Sequence, residues 1–355
     1  MRRVKVAVIP GDGIGQEVVP AALTVLQHVA SRSQRIAWEF TEFPWGSQYF
    51  VDHGVMMPDD GLDQLRRFDV IFLGAVGDPR VPDHVSLWGL LLPIRRGFDQ
   101  YVNLRPVKLL PGVESPLKGY GPGSIDFVVI RENTEGEYSN IGGRLRPGTP
   151  DEIVIQNSVF TRKGTERVIR YAFERARRSR KLVTGATKSN GINYTMPFWD
   201  EVFRAVAAEY PDVKTQLYHI DALAAYFVTR PDTFDVVVAS NLFGDILTDL
   251  GGAIQGGIGM AAAANINPDG QYPSMFEPVH GSAPDIAGQG IANPVGQLWT
   301  ASLMLDHLGF LEEGSWILKA IEATLEDGVK TPDLGGTART HEVIEHIVSY
   351  IDSMP

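Results

Sequence analysis

The stretch "VAVIPGDGIGQEVVPAAL" (6–23) joins an apolar, β-rich run to a helical pattern through Gly11, Gly13 and Gly15. It has the look of a phosphate cradle at the end of a first strand. The dinucleotide fingerprint G-x-G-x-x-G needs a glycine at its third required position, for close helix packing. Here that position is Gln16, and Asp12 puts a carboxylate where phosphates would sit. The pattern therefore excludes the usual Rossmann fingerprint. Two readings stay open: a glycine-rich strand-to-helix turn, or a cofactor contact of another kind.

Outward from this turn, short apolar runs alternate with amphipathic ones. "VKVAVI" (4–9), "DVIFLGA" (69–75), "DFVVIRE" (126–132), "KLVTGAT" (181–187) and "DVVVAS" (235–240) read as strands buried on both faces, as in a parallel sheet. Segments 15–30, 59–68, 164–179 and 196–210 read as helices, and 296–309, 315–326 and 339–352 make the C-terminal part mainly helical. This is the α/β class. "LRPGTPDEIVIQNSVFTRKG" (145–164) breaks the rhythm as a strand-like excursion, an arm that would pair with something else. The glycine-rich stretch 251–266 reads as an apolar loop-helix region.

A chain of 355 residues with 44% hydrophobic and 21% charged residues suggests a soluble protein of two domains. No apolar run approaches membrane-spanning length, and the first residues do not read as a signal peptide. Without cysteine there is no disulfide framework, thiolate metal site or cysteine nucleophile, which fits a cytoplasmic location. The net charge of −11 argues against general nucleic-acid binding. The basic run 161–181 has its apolar residues at helical spacing, and reads as a solvated helix face.

"SNLFGDILTDLGG" (240–252) carries the clearest chemistry. A helix starting near Asn241 stacks Asp245 and Asp249 at i and i+4, where like charges repel. Apolar neighbours sharpen the conflict, and a divalent cation resolves it. Oxygen ligands with open water positions suit Mg²⁺ or Mn²⁺. Asp221, in "LYHIDALAAYF" (217–227), is either a third carboxylate or a helix N-cap. Arg95, Arg96, Arg105 and Arg131 suggest a dicarboxylate ligand held by bidentate pairs, with Arg131 at the end of a strand, where open α/β sheets bind ligands. Tyr138 and Lys188 are the proton-transfer candidates.

Taken together, "IPGDGIGQE", "NLRPVKLLPG", "RENTEGEY", "TKSN", "NLFGDILTDLGG" and "EPVHGSAPDIAGQGIANP" resemble, in order and nearly end to end, the β-decarboxylating dehydrogenases. These comprise the isopropylmalate, isocitrate, homoisocitrate and tartrate/D-malate enzymes. The resemblance implies an open α/β subunit of two domains that binds NAD without a Rossmann fold. One domain would combine 1–98 with 256–355. The other, 99–255, would carry the arm near 140–160 and form a homodimer with shared active sites. By motif, Arg95, Arg105 and Arg131 would grip the malate carboxylates, with Trp88 and Leu91 lining the substrate pocket. Asp245 and Asp249 would bind Mn²⁺ or Mg²⁺, with Asp221 from the partner. Lys188, also from the partner, would take the hydroxyl proton, and Tyr138 would protonate the enol. Ile14, Glu277, His280, Gly281, Ser282, Ala283, Asp285, Ile286 and Asn293 would meet NAD⁺. A monovalent cation such as K⁺ is a further candidate activator.

Substrate choice in this family is read in the stretch before Arg95, here "SLWGLLLPIR" (86–95). The isocitrate branch resembles a Ser-x-Asn pattern; this chain has Gly89 and Leu91. Trp88 would shrink the pocket, and the wording here and through "RENTEGEYSNIGGR" looks most like the tartrate dehydrogenase/decarboxylase (decarboxylating D-malate dehydrogenase) branch. The leucines 90–92 keep isopropylmalate open as a substrate. A metal-dependent oxaloacetate decarboxylase with no redox step is the reading from another class. A non-catalytic regulatory paralogue is a third, but it should lack some of Lys188, Tyr138 and the aspartates, and all are present.

Overall fold

The computed structural model describes residues 1–354. Its strands are β1 (Arg2–Gly11), β2 (Ile36–Glu42), β3 (Val70–Ala75), β4 (Val102–Lys108), β5 (Asp126–Glu132), β6 (Gly142–Leu145), β7 (Ile153–Gln156), β8 (Leu182–Thr187), β9 (Lys214–His219), β10 (Val236–Ala239), β11 (Ala262–Ile266) and β12 (Ser274–Pro278). Ten of them form one sheet in the order β2-β1-β3-β12-β11-β4-β5-β10-β8-β9. The strands drawn from 1–98 and 256–355 occupy one half, and those from 99–255 the other. β11 and β4 join the halves edge to edge.

The apolar runs explain why the sheet is covered on both faces. Along β1, Val4, Val6 and Val8 enter one apolar cluster, while Ala7 and Ile9 enter another. Along β3, Val70 and Phe72 face the first cluster, and Ile71 and Leu73 the second. The period-2 alternation of a strand sends successive side chains to opposite faces, so a continuous apolar run needs a layer on each side. The helices Gly15–Ser33, Val295–His307, Leu311–Glu326 and Thr340–Ser353 supply much of the covering layer in this half.

Three expectations need correction. The sheet is mixed rather than parallel: β4 runs antiparallel to both β5 and β11, and β11 antiparallel to β12. The stretch 251–266 is not a loop-helix region. It finishes a helix at Ile254, passes through a short 3₁₀ turn and becomes β11, whose small side chains are wholly buried. The arm does have a partner in its own chain, because β7 pairs antiparallel with β6. This hairpin stands clear of the sheet, with Leu145 59% and Val154 62% exposed.

The basic run behaves as a solvated face. On helix Arg162–Arg177, Arg162 pairs with Glu201, Arg167 with Asp99, Arg170 with Glu209, and Arg177 with Asp212. Among the described residues no helix is long and apolar enough to cross a membrane.

Candidate active site

The helix Asn241–Ile254 follows β10 and lies against β5. Its start is fixed from outside: the Glu137 carboxylate accepts from Ser240 Oγ at 2.7 Å and from the Leu242 backbone N–H at 3.0 Å. Unsatisfied N–H groups and the positive end of the helix favour a carboxylate there. Close approach to β5 requires Gly244, since a Cβ at that position would lie 2.6 Å from the Arg131 Cβ. This contact delivers Asp245 to the buried arginines.

Arg131 Nη1 donates to Asp245 Oδ1, and its Nε and Nη2 both donate to Asn241 Oδ1, at 3.0 and 2.7 Å. Arg105, on β4, donates to Thr248 Oγ1 at 2.6 Å and stands 3.6 Å from Asp245 and 3.9 Å from Asp249. The Tyr138 hydroxyl donates to Asp245 Oδ2 at 2.9 Å, and the Arg131 guanidinium lies 5.5 Å from the Tyr138 ring centre. Arg95 reaches the buried Glu277 across 182 residues of sequence, and Glu277 also accepts from Asn265 at 2.7 Å. Arg105, Arg131, Tyr138, Asp245 and Asp249 are thus brought together, with Arg95 close enough for its charge to act on Tyr138 and Asp245.

The cluster sets three guanidinium groups, Arg95, Arg105 and Arg131, against three carboxylates, Asp245, Asp249 and Glu277. Burial, then the like charge of Arg131, lowers the Arg105 guanidinium to about 10. Burial acts to raise Asp245, but Arg131, Arg105 and the Tyr138 hydroxyl outweigh it and hold the carboxyl below its usual range. Burial and Asp245 raise Tyr138, keeping its hydroxyl protonated. Asp249 is shifted up, first by partial burial and then by Asp245. The Nε atoms of Arg95 and Arg105 are buried without an acceptor. Buried donors normally have partners, so unspent guanidinium donors fit an anionic, carboxylate-bearing ligand. The two aspartate carboxylates fit a hard divalent cation by donor type.

Lys188 and Asp221 lie elsewhere in the same chain. Lys188 directly follows β8 and Asp221 lies two residues past the end of β9, and Lys188 Nζ stands 3.0 Å from Asp221 Oδ1. That ion pair, more than anything else, holds the Asp221 carboxyl below its usual range. The strand order β5-β10-β8-β9 puts the end of β9 three strand spacings, roughly 14 Å, from β5. Asp221 is not the N-cap of its helix; His219 occupies that position. Among the described residues, no three His, Asp or Glu side chains gather into a set able to hold a metal ion.

The glycine turn meets the 280–288 stretch. The Ile14 N–H donates to the Ser282 carbonyl at 2.8 Å, and a Cβ on Gly13, at φ +52°, would lie 2.1 Å from that oxygen. The Asp12 carboxylate is spent within the chain: it accepts from Ser47 N, Ser47 Oγ and Gly77 N at 2.7–2.8 Å. Asp12 thereby ties the Ser47 and Gly77 segments to the turn. Ile14 packs with Ile286, Ala283 and Ala287. Asn293 bridges Asp333 and the Val295 N–H, Asp285 is exposed, and His280 is buried with Nε2 unpartnered. An unpartnered buried imidazole nitrogen beside an apolar shelf and a glycine turn fits a nucleotide cofactor. Gly13→Ala is expected to cost about 1–3 kcal/mol by forcing a left-handed residue against Ser282, read by denaturant unfolding.

Some site residues were not singled out in the sequence. Asn241 and Thr248 sit four residues before and three after Asp245, so helical spacing from the aspartate would have found them. Glu137, Asn265 and the second role of Glu277 carry no local signal.

A mixed α/β sheet with buried arginines gathered round a helix of paired aspartates is shared with a known class of dehydrogenase. The chain belongs to the isocitrate/isopropylmalate dehydrogenase family, whose pattern matches residues 5–347. Among its relatives, it is 59% identical over 350 residues to a Bacillus subtilis protein named probable tartrate dehydrogenase/decarboxylase, covering 98% of each chain. It is 56% identical over 359 residues to the decarboxylating D-malate dehydrogenase of Escherichia coli, covering 99% of each. The crystal structure of isocitrate dehydrogenase from Methylococcus capsulatus superimposes with a TM-score of 0.87 at 36% identity, over 98% of this chain and 99% of that one.

Proposed function

We propose that this protein is an NAD⁺- and divalent-metal-dependent dehydrogenase that oxidises and decarboxylates D-malate to pyruvate and CO₂, and also oxidises tartrate. The carrying observation is the convergence of Arg105, Arg131 and Tyr138 on Asp245, with donors to spare and Asp249 alongside. The relatives named for tartrate and D-malate support the substrate class. The strand order supports a division into 1–98 with 256–355, and 99–255. The reading includes a cytoplasmic location.

In this reading Arg95, Arg105 and Arg131 hold the two substrate carboxylates as bidentate partners. Asp245 and Asp249 hold Mn²⁺ or Mg²⁺, with Asp221 of a second copy. When bound, the cation would supply polarisation of the C2 oxygen and NAD⁺ would supply the acceptor for the C2 hydride. Lys188 of the second copy accepts the C2 hydroxyl proton; a lysine beside a cation is a competent base. The C3–C4 bond then breaks to release CO₂, and Tyr138 delivers its proton to C3. The raised pKa of Tyr138 keeps that proton available.

Exposed apolar surface supports the dimer. Ile153, Val154 and Ile155 on the hairpin, and Leu242 and Ile246 on the aspartate helix, face solvent in the single chain. Side-by-side turnover of D-malate, L-tartrate, meso-tartrate, 3-isopropylmalate and isocitrate with NAD⁺ and Mn²⁺ tests the proposal. D-malate and tartrate are expected to lead. Turnover of oxaloacetate with none of D-malate would favour the non-redox decarboxylase instead.

Cofactor preference gives a second test. Asp285, exposed beside Ile286, is suited to accept hydrogen bonds from the ribose hydroxyls of NAD⁺. A 2′-phosphate would meet its carboxylate as like charge. NAD⁺ is expected to exceed NADP⁺ at least roughly tenfold in kcat/KM, about 1.4 kcal/mol. Asp285→Lys with Ile286→Tyr should narrow the gap. Equal efficiency with both cofactors in the unmutated protein would place the adenosine elsewhere.

A further inference from the structure

Arg96 takes no part in the chemistry above, yet it touches Tyr138, the proton donor, and Trp88, which the family resemblance places in the substrate pocket. Its guanidinium carbon stands 4.8 Å from the centre of the Trp88 ring, within cation–π range. Its Nη2 donates to the backbone carbonyl of Tyr138 at 2.5 Å. The side chain is half-buried, and its Nε is buried without an acceptor. Trp88 lies on the wide helical turn Leu87–Leu91 that leads into Leu92–Gly97, the helix carrying Arg95 and Arg96.

The other ties on Tyr138 run elsewhere. Its hydroxyl goes to Asp245, its ring faces Arg131, and Glu137 before it clasps the start of the aspartate helix. The Arg96 side chain therefore links the Trp88 turn to the Tyr138 segment. A planar guanidinium can stack on a ring and donate a hydrogen bond in its own plane at once, which a lysine ammonium does not do.

We infer that Arg96 is a specificity-determining positioning residue that pins the Trp88 ring against the Tyr138 segment and so limits the room beside C3 of the substrate. This rests on the reading of the site as a D-malate/tartrate centre. With the ring held, a hydrogen or hydroxyl at C3 is accepted and a branched alkyl group meets the indole. With Arg96 removed, the ring gains rotamers and the alkyl group is admitted.

The test is the ratio of kcat/KM for D-malate to that for 3-isopropylmalate in Arg96→Met and Arg96→Lys, each in the Trp88 and the Trp88→Ala backgrounds. In the Trp88 background the ratio is expected to fall at least about tenfold for methionine and by less for lysine, which keeps the charge and loses the plane. In the Trp88→Ala background the Arg96 substitutions should leave the ratio unchanged, because the residue acts through the ring. A purely structural role would lower both substrates together and would do so in both backgrounds. If the methionine variant fails to fold, the lysine variant carries the same comparison. A ratio unchanged in the Trp88 background, or an equal change in both backgrounds, overturns the inference. An unmutated protein that turns over neither D-malate nor tartrate overturns the functional reading, and this inference with it. Normal turnover with an unresponsive ratio overturns this inference alone.

Discussion

Asp245→Asn is expected to lower turnover by more than about 100-fold, the upper end of the loss from removing a mere supporting contact of a metal site. The substitution removes one of two carboxylates at i and i+4, and also the anion that faces Arg131, Arg105 and Tyr138. Weaker Mn²⁺ binding should accompany the loss, read by titration calorimetry. Affinity in the unmutated protein should fall as the pH drops, because ligating carboxyls must be deprotonated. The fall should begin above the ordinary aspartate range, since the Asp249 carboxyl is shifted up. Full activity in excess EDTA would contradict the metal role outright.

Inactive Lys188→Ala subunits mixed with inactive Asp245→Asn subunits should regain about one quarter of wild-type activity, since random exchange in a two-fold dimer leaves roughly half the dimers mixed, each with one complete site. The ground for this is the separation within one chain. Lys188 and Asp221 are paired with each other after β8 and β9, while Tyr138 and Asp245 meet beside β5. No recovery after subunit exchange has been verified by mass spectrometry would mean that each chain builds its own site.

Much of this was legible where local pattern and tertiary environment agree. The run 126–132 is β5 to the residue, because its apolar centre, Phe127 to Ile130, is what a strand buried on both faces requires. The aspartate pair was legible because helical spacing is local. β11 was not: "AAANI" has no β-branched residue until its last position, and it becomes a strand because β12 and β4 flank it. β4, "VNLRPVK", was read for its arginine; Pro106 and the charged side chains hide a strand that is central only in three dimensions. The Arg95–Glu277 pair and the two contacts of Arg96 depend on segments brought together from far along the chain, and no spacing announces them.

The order of strands also sets a timetable for the nascent chain. β3 must pair with β12, as Val70 does with Ser274, so its apolar edge stays uncovered while the intervening chain is made. At about 5–20 residues per second, the ribosome takes roughly 10–40 s to reach that partner. The five strands that 99–255 contributes to the large sheet need nothing made later in order to close on one another. β1, β2 and β3 can pair with one another early, but their half of the sheet is completed only when β12 and β11 have been made.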